Sequence, residues 1–97
     1  MAQVVYSDDA FADFERIVEF LLEQGRDDAA RALTQIRSAI SLLEVHPLIG
    51  HRVAGELREL VISYGRSGYL AVYRFEAAPD VVRILRIRHQ REAGYRD

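Results

Sequence analysis

The sequence predicts an α+β domain with the element order β-α-α-β-β-β, a helical hairpin packed on a small antiparallel sheet. Three observations predict it. Apolar residues recur at helical spacing from Phe11 to Leu22 and again from Ala29 to Leu43. Pro47 and Gly50 then end the helical pattern. From Leu57 onward the period switches to that of strands, in three runs separated by short turns. The chain has 97 residues, 49% of them hydrophobic, which suits one domain with a single modest core, spanning residues 1–97.

Val4, Val5 and Tyr6 form a short strand over residues 2–6. Ser7 stands where a helix N-cap belongs, with Asp8 and Asp9 favouring the positive helix end. Phe11, Phe14, Ile17, Val18, Leu21 and Leu22 make one apolar stripe, with Asp13, Arg16, Glu19 and Glu23 off it. Gly25 ends this helix near residue 24. Asp27 or Asp28 is placed to cap a second helix, whose stripe of Ala29, Leu33, Ile36, Ile40 and Leu43 runs to about Val45. The short link makes the pair an antiparallel hairpin. His46 to Ala54 reads as a loop. The strands are Leu57 to Tyr64, Tyr69 to Phe75 and Val81 to Arg88. Turns at Gly65-Arg66-Ser67-Gly68 and Glu76 to Asp80 join them into a meander. The central strand is apolar on both faces, so the hairpin covers one face and the other is partly buried or used for binding.

Composition narrows the chemistry. There is no cysteine, which excludes disulfides and thiolate metal sites and fits a reducing cytoplasm. All thirteen basic residues are arginine, so no lysine nucleophile or Schiff base is available. Proton transfer would fall to His, Tyr, Asp or Glu. The net charge of -2 hides a division. Residues 1–48 hold nine acids against four arginines, and residues 49–97 six acids against nine arginines. A basic second half suits an anionic partner, or the acidic half of another copy. No apolar run reaches the length of a membrane span, and Ser7, Asp8 and Asp9 interrupt any leader-like stretch.

Among motifs, His46 and His51 lack the spacing of metal ligands, and no glycine-rich loop joins a strand to a helix. No metal and no cofactor is expected. The informative segment is the last strand and tail, Val81 to Tyr95, where Arg83, Arg86 and Arg88 alternate with apolar residues and His89, Arg91 and Tyr95 follow. Planar guanidinium forks on a rigid strand suit phosphate or carboxylate, and His89 and Tyr95 can move protons. Arg58, Arg74, Arg86 and Arg88 lie on adjacent strands and are candidates to converge on one binding patch. Arg74 interrupts an apolar strand, so it is either paired with an acid such as Glu59 or functional. The strand tyrosines fill the core more readily than they stack on bases.

Three segments resemble the RelE/ParE superfamily of toxins from bacterial type II toxin–antitoxin modules. Leu42 to Gly50 resembles its Leu-x-x-x-Pro-x-x-Gly loop. Leu57-Arg58-Glu59-Leu60 and Gly68 to Arg74 resemble two of its strands, and Ile84 to Tyr95 resembles its ending. The resemblance covers essentially the whole chain in the family's element order. It implies a cytoplasmic toxin neutralised by a cognate protein antitoxin whose extended segment wraps it, with a toxin–antitoxin hetero-oligomer as the resting form. It also implies one of two targets. The RelE-like branch cleaves mRNA on the ribosome with basic side chains, whereas the ParE-like branch poisons DNA gyrase. Where the cleaving branch places basic residues, this chain has Val61, Ser63 and Leu70. Losing a group that stabilises the transition state costs several kcal/mol of barrier. His89 and Tyr95 match the terminal motif, and Arg74 or Arg91 stands as the candidate substitute. The resemblance therefore favours the ParE-like branch, with His89, Tyr95 and Arg91 as catalytic residues only in a ribonuclease. A third possibility it leaves open is a decayed module that binds antitoxin without being toxic.

Overall fold

Two helices lie across one face of a five-stranded sheet in the computed structural model, which describes residues 1–64 and 67–89, the side chains of residues 63, 64 and 67 excepted. The elements are β1 (Gln3–Tyr6), α1 (Asp8–Gln24), α2 (Arg26–Ser41), β2 (His51–Ala54), β3 (Leu57–Tyr64), β4 (Ser67–Glu76) and β5 (Val81–His89), with a 3-10 turn at Leu42–Glu44. The strand order is β1-β5-β4-β3-β2. The predicted α+β architecture holds. The sheet differs in two respects. It is mixed, because β1 pairs with β5 in parallel, and it has a fifth strand, because His51–Ala54 pairs with β3 instead of forming loop. All four β2 residues are exposed at the sheet edge. Such a strand carries no buried alternation, which is the signal a sequence reading needs.

The core forms between the helices and the inward face of β3, β4 and β5. Ile17, Leu21, Ala32, Ile36, Ile40 and Leu43 meet Ile62, Tyr69, Ala71, Tyr73, Val82, Ile84 and Ile87. Tyr69 and Tyr73 are both buried, so these strand tyrosines do fill the core. The opposite face of the sheet is covered by no described element. It carries Leu70, Val72 and Arg74 of β4, Val61 of β3, and Arg83 and Arg88 of β5.

Ser7 caps α1 as expected, its hydroxyl accepting from Ala10 N–H at 3.0 Å. The second cap differs from expectation. Gly25 ends α1 and begins α2 at the same residue, with φ of 139°, and neither Asp27 nor Asp28 caps the helix, both lying in its first turn. An L side chain rarely adopts that φ, so glycine closes one helix and opens the next in a single step. The α1 stripe also differs. Asp13 is buried with Ala10, Ile17 and Leu21, whereas Phe11 and Leu22 are exposed. Asp80 takes the left-handed conformation (φ 58°) in the β4–β5 turn, a conformation that aspartate tolerates better than most residues.

Candidate functional site

The last strand is built in two phases. Val72 of β4 pairs with Arg86 and Tyr73 pairs with Ile84, so Leu85 is an extra residue, a β-bulge. Before it, Val82 and Ile84 point into the core; after it, Ile87 does. The bulge sits where β1 has run out, since β1 pairs only as far as Tyr6 with Ile84. The start of α1 covers the strand edge left open there. Ser7 N–H donates to Ile84 O at 2.9 Å, the Ser7 hydroxyl donates to Leu85 O at 3.0 Å, and Ile87 N–H donates to Asp13 Oδ2 at 3.0 Å. Asp13 thus stands in for a missing strand, accepting a ladder hydrogen bond with its side chain.

Asp13 is also the centre of an ion cluster. Arg86 donates through Nε to Oδ2 at 2.7 Å and through Nη2 to Oδ1 at 3.1 Å, and Arg16 donates to Oδ1 at 2.9 Å. Burial alone would raise the carboxyl's pKa. The Arg86, Ile87 and Arg16 hydrogen bonds outweigh it and hold the pKa down at about 2, below its ordinary 3.8. The stabilisation is therefore present above the unfolded value and lost as pH falls through the folded one. We expect the urea midpoint to fall as pH drops from about 4 towards about 2. In Asp13→Asn that acid loss should shrink. An acid limb of equal slope in both proteins would show that Asp13 does not carry it.

The four arginines expected to converge divide between the two faces. Arg58 pairs across from buried Tyr73 and reaches the loop before β2, donating to Leu48 O at 3.1 Å and Gly50 O at 2.8 Å. Arg86 is held by Asp13. Arg74 and Arg88 lie on the open face, four β4 positions apart through the pairing of Leu70 with Arg88. Arg74 is paired, but with Glu76 at 2.9 Å and not with Glu59, which instead contacts His51 at 3.3 Å. Arg83 shares the same carboxylate, donating through Nε at 3.0 Å and Nη2 at 3.1 Å. The Arg83 and Arg74 hydrogen bonds pull the Glu76 pKa down to about 2.

His89 pairs across from Tyr69 on the helix-covered face, their rings edge to face with centroids 5.2 Å apart. It therefore lies on the opposite side of the sheet from Arg74 and Arg88. Arg91 and Tyr95 lie outside the described residues. Val61 and Leu70 are register partners on the open face, so two aliphatic side chains occupy that spot side by side. Among the described residues, no group of three or more His, Asp or Glu side chains could hold a metal ion, and no helix is long and apolar enough to cross a membrane.

Sequence reading missed the latch beneath the α2–β2 loop. The buried Tyr73 hydroxyl donates to Pro47 O at 2.8 Å and accepts from Gly50 N–H at 2.9 Å. Burial pushes the Tyr73 phenol pKa up, partly countered by the Gly50 hydrogen bond and the Arg58 charge. It also missed Asp13, which the helical pattern sets off the apolar stripe among the solvated residues but which is buried.

Residues 4–94 match the model of the ParE toxin of type II toxin–antitoxin systems, parDE. The chain belongs to the ParE toxin family. Relatives with curated names include Toxin RelE3 of Caulobacter vibrioides, 38% identical over 82% of this chain and 85% of that protein. Toxin RelE1 of the same organism is 33% identical over 89% and 90%. Among solved structures, a chain from the chromosomal ParDE system of P. aeruginosa superposes with a TM-score of 0.72 at 22% identity, covering 91% of this ParE-family chain and 95% of that one. A metal-bound toxin from Helicobacter pylori superposes with a TM-score of 0.53 at 15% identity over 95% and 98%. These two likenesses speak for the fold of this family member. Membership makes the chain the toxin component of a type II module and implies a cognate protein antitoxin.

Proposed function

We propose that this toxin stops growth by binding and poisoning DNA gyrase, and that residues 1–97 act as one cytoplasmic toxin domain held inactive by its antitoxin. The observation that carries the reading is the Val61–Leu70 pair on the open sheet face. The RNA-cleaving branch uses basic groups at these positions to stabilise a phosphorane-like transition state, and two aliphatic side chains supply none. The separation of His89 from Arg74 and Arg88 by the thickness of the sheet points the same way. General acid–base work on a phosphodiester requires such groups within hydrogen-bond reach of one reacting centre.

The competing reading is a ribosome-dependent mRNA endoribonuclease, favoured by the names of the two Caulobacter relatives. Pulse labelling with thymidine and methionine in the minutes after induction without antitoxin separates the two. The gyrase reading expects thymidine incorporation to fail first. It also expects His89→Ala to keep nearly full toxicity. If methionine incorporation fails first and His89→Ala weakens arrest by about 100-fold, the protein is a nuclease with His89 in proton transfer. A harmless overexpressed protein that still co-purifies with its antitoxin would mark a module that has lost its toxicity.

A further inference from the structure

We infer that the open face of the sheet is a docking site for an extended protein segment carrying two carboxylates four residues apart with an aliphatic residue midway between them. Arg74 uses only Nε to hold Glu76, so its two terminal amino groups make no hydrogen bond or ion pair among the described residues. Glu76 fixes that guanidinium from one side while Arg83 grips the same carboxylate from another. The result is an oriented fork with its outer donors unfilled, the geometry that receives a carboxylate through two hydrogen bonds. Arg88 has no partner among the described residues. It lies across from Leu70, four β4 positions from Arg74, a separation of about 13 Å along the strands.

Val72 lies between the two cations along the strands, and Leu70 and Val61, the latter 48% exposed, extend the aliphatic strip in the row of Arg88. An extended segment advances about 3.3 Å per residue and shows one face to the sheet at every second residue. A carboxylate at one position, an aliphatic side chain two residues on and a carboxylate two residues further match the fork, the strip and Arg88 in order. The surface fits protein better than nucleic acid. Tyr69 and Tyr73, the aromatic residues of β4 that could stack on bases, are both turned into the core, and Glu59 and Glu76 on the open face repel a continuous phosphate chain. Family membership supplies the candidate owner of the segment, the protein antitoxin, and the inference rests on that membership only for the owner's identity.

The test uses fluorescence anisotropy with a labelled heptapeptide, Ser-Asp-Thr-Leu-Thr-Asp-Ser, and a control of equal composition, Ser-Thr-Leu-Asp-Asp-Thr-Ser. The spaced peptide should bind the intact protein about tenfold tighter than the control, as expected for one additional charge-assisted contact. Arg74→Ala and Arg88→Ala should each weaken it by about tenfold, and Arg52→Ala, on the edge strand, should not. Arg88→Ala removes no hydrogen bond or ion pair of the described fold, and its unfolding midpoint, measured alongside, separates a binding effect from a folding one. Undetectable binding of the spaced peptide, equal Kd values for the two peptides, or unchanged binding in both variants would overturn the inference. So would a seven-nucleotide single-stranded RNA that binds the same residues more tightly than the peptide. The labelling experiment above is independent: a failed peptide with failing thymidine incorporation removes this site and leaves the gyrase reading standing.

Discussion

Asp13→Ala is expected to lower folding stability by about 3 kcal/mol, a large share of the 5–15 kcal/mol typical of a domain. The substitution removes three things at once. Ile87 N–H loses its acceptor at the open edge of β5, Arg86 loses both of its hydrogen bonds to a carboxylate, and Arg16 loses its helical partner. An unpaired buried N–H alone costs about 1–3 kcal/mol. The guanidinium is less costly to separate from Asp13 because Arg86 is 40% exposed and can turn to water, which places the total at the lower end for a broken buried ion pair. Asp13→Asn keeps an acceptor for Ile87 and should lose less. Urea unfolding of the three proteins at pH 7 measures the order. A loss below about 1 kcal/mol in Asp13→Ala would mean that the edge closes without this side chain.

Gly50→Ala is expected to cost about 2–3 kcal/mol, through overpacking and not through lost burial. A Cβ at residue 50 would stand 2.7 Å from Tyr73 Cε1, 2.8 Å from Tyr73 Oη and 2.8 Å from Glu59 O. The last is backbone within the sheet and cannot rotate away, and the ring is locked in the core. The loop must therefore lift, breaking the Tyr73 hydroxyl bonds to Pro47 and Gly50 and slackening the Arg58 bonds to Leu48 O and Gly50 O. Tyr73→Phe removes only the hydroxyl and should cost less, about 1–2 kcal/mol. Thermal unfolding of both variants tests the pair, and a Gly50→Ala protein as stable as the parent would show that the loop moves without strain.

Much of this fold is legible because local period and burial agree. The α2 stripe follows from spacing, the Ser7 cap from a hydroxyl residue just ahead of a helical run, and the core role of the β4 tyrosines from the commoner use of that side chain in a strand. What escaped the sequence has a common cause: it depends on partners distant in the chain. Whether a four-residue strand pairs in parallel with the last strand or antiparallel with another is not written in its own residues, and β1 reads the same either way. β2 is exposed at every position, so it has no alternation to read. Asp13 looks like any acidic residue on a helix until Ile87, seventy-four positions on, presents an open N–H to it. The site was legible in part. Residue type marked the arginines, but sequence could not assign Arg86 and Arg88 to faces, because the bulge at Leu85 shifts the alternation that such an assignment assumes. Arg74 likewise found its acid two residues along its own strand, a neighbour that a search across strands passes over.

That bulge also determines which kinds of change can re-aim the surface. Arg88 faces the open side and His89 the helices because one surplus residue lies upstream of both, and not because either side chain prefers its surroundings. Substitutions can weaken the surface one group at a time but cannot turn it over. Flattening the bulge with Leu85 kept would exchange the two faces, whereas deleting Leu85 together with the bulge would leave Arg88 across from Leu70 and His89 across from Tyr69. In this family member, which of the two side chains the terminal strand presents to the open face depends on one surplus residue being taken up as a bulge and not passed along the ladder.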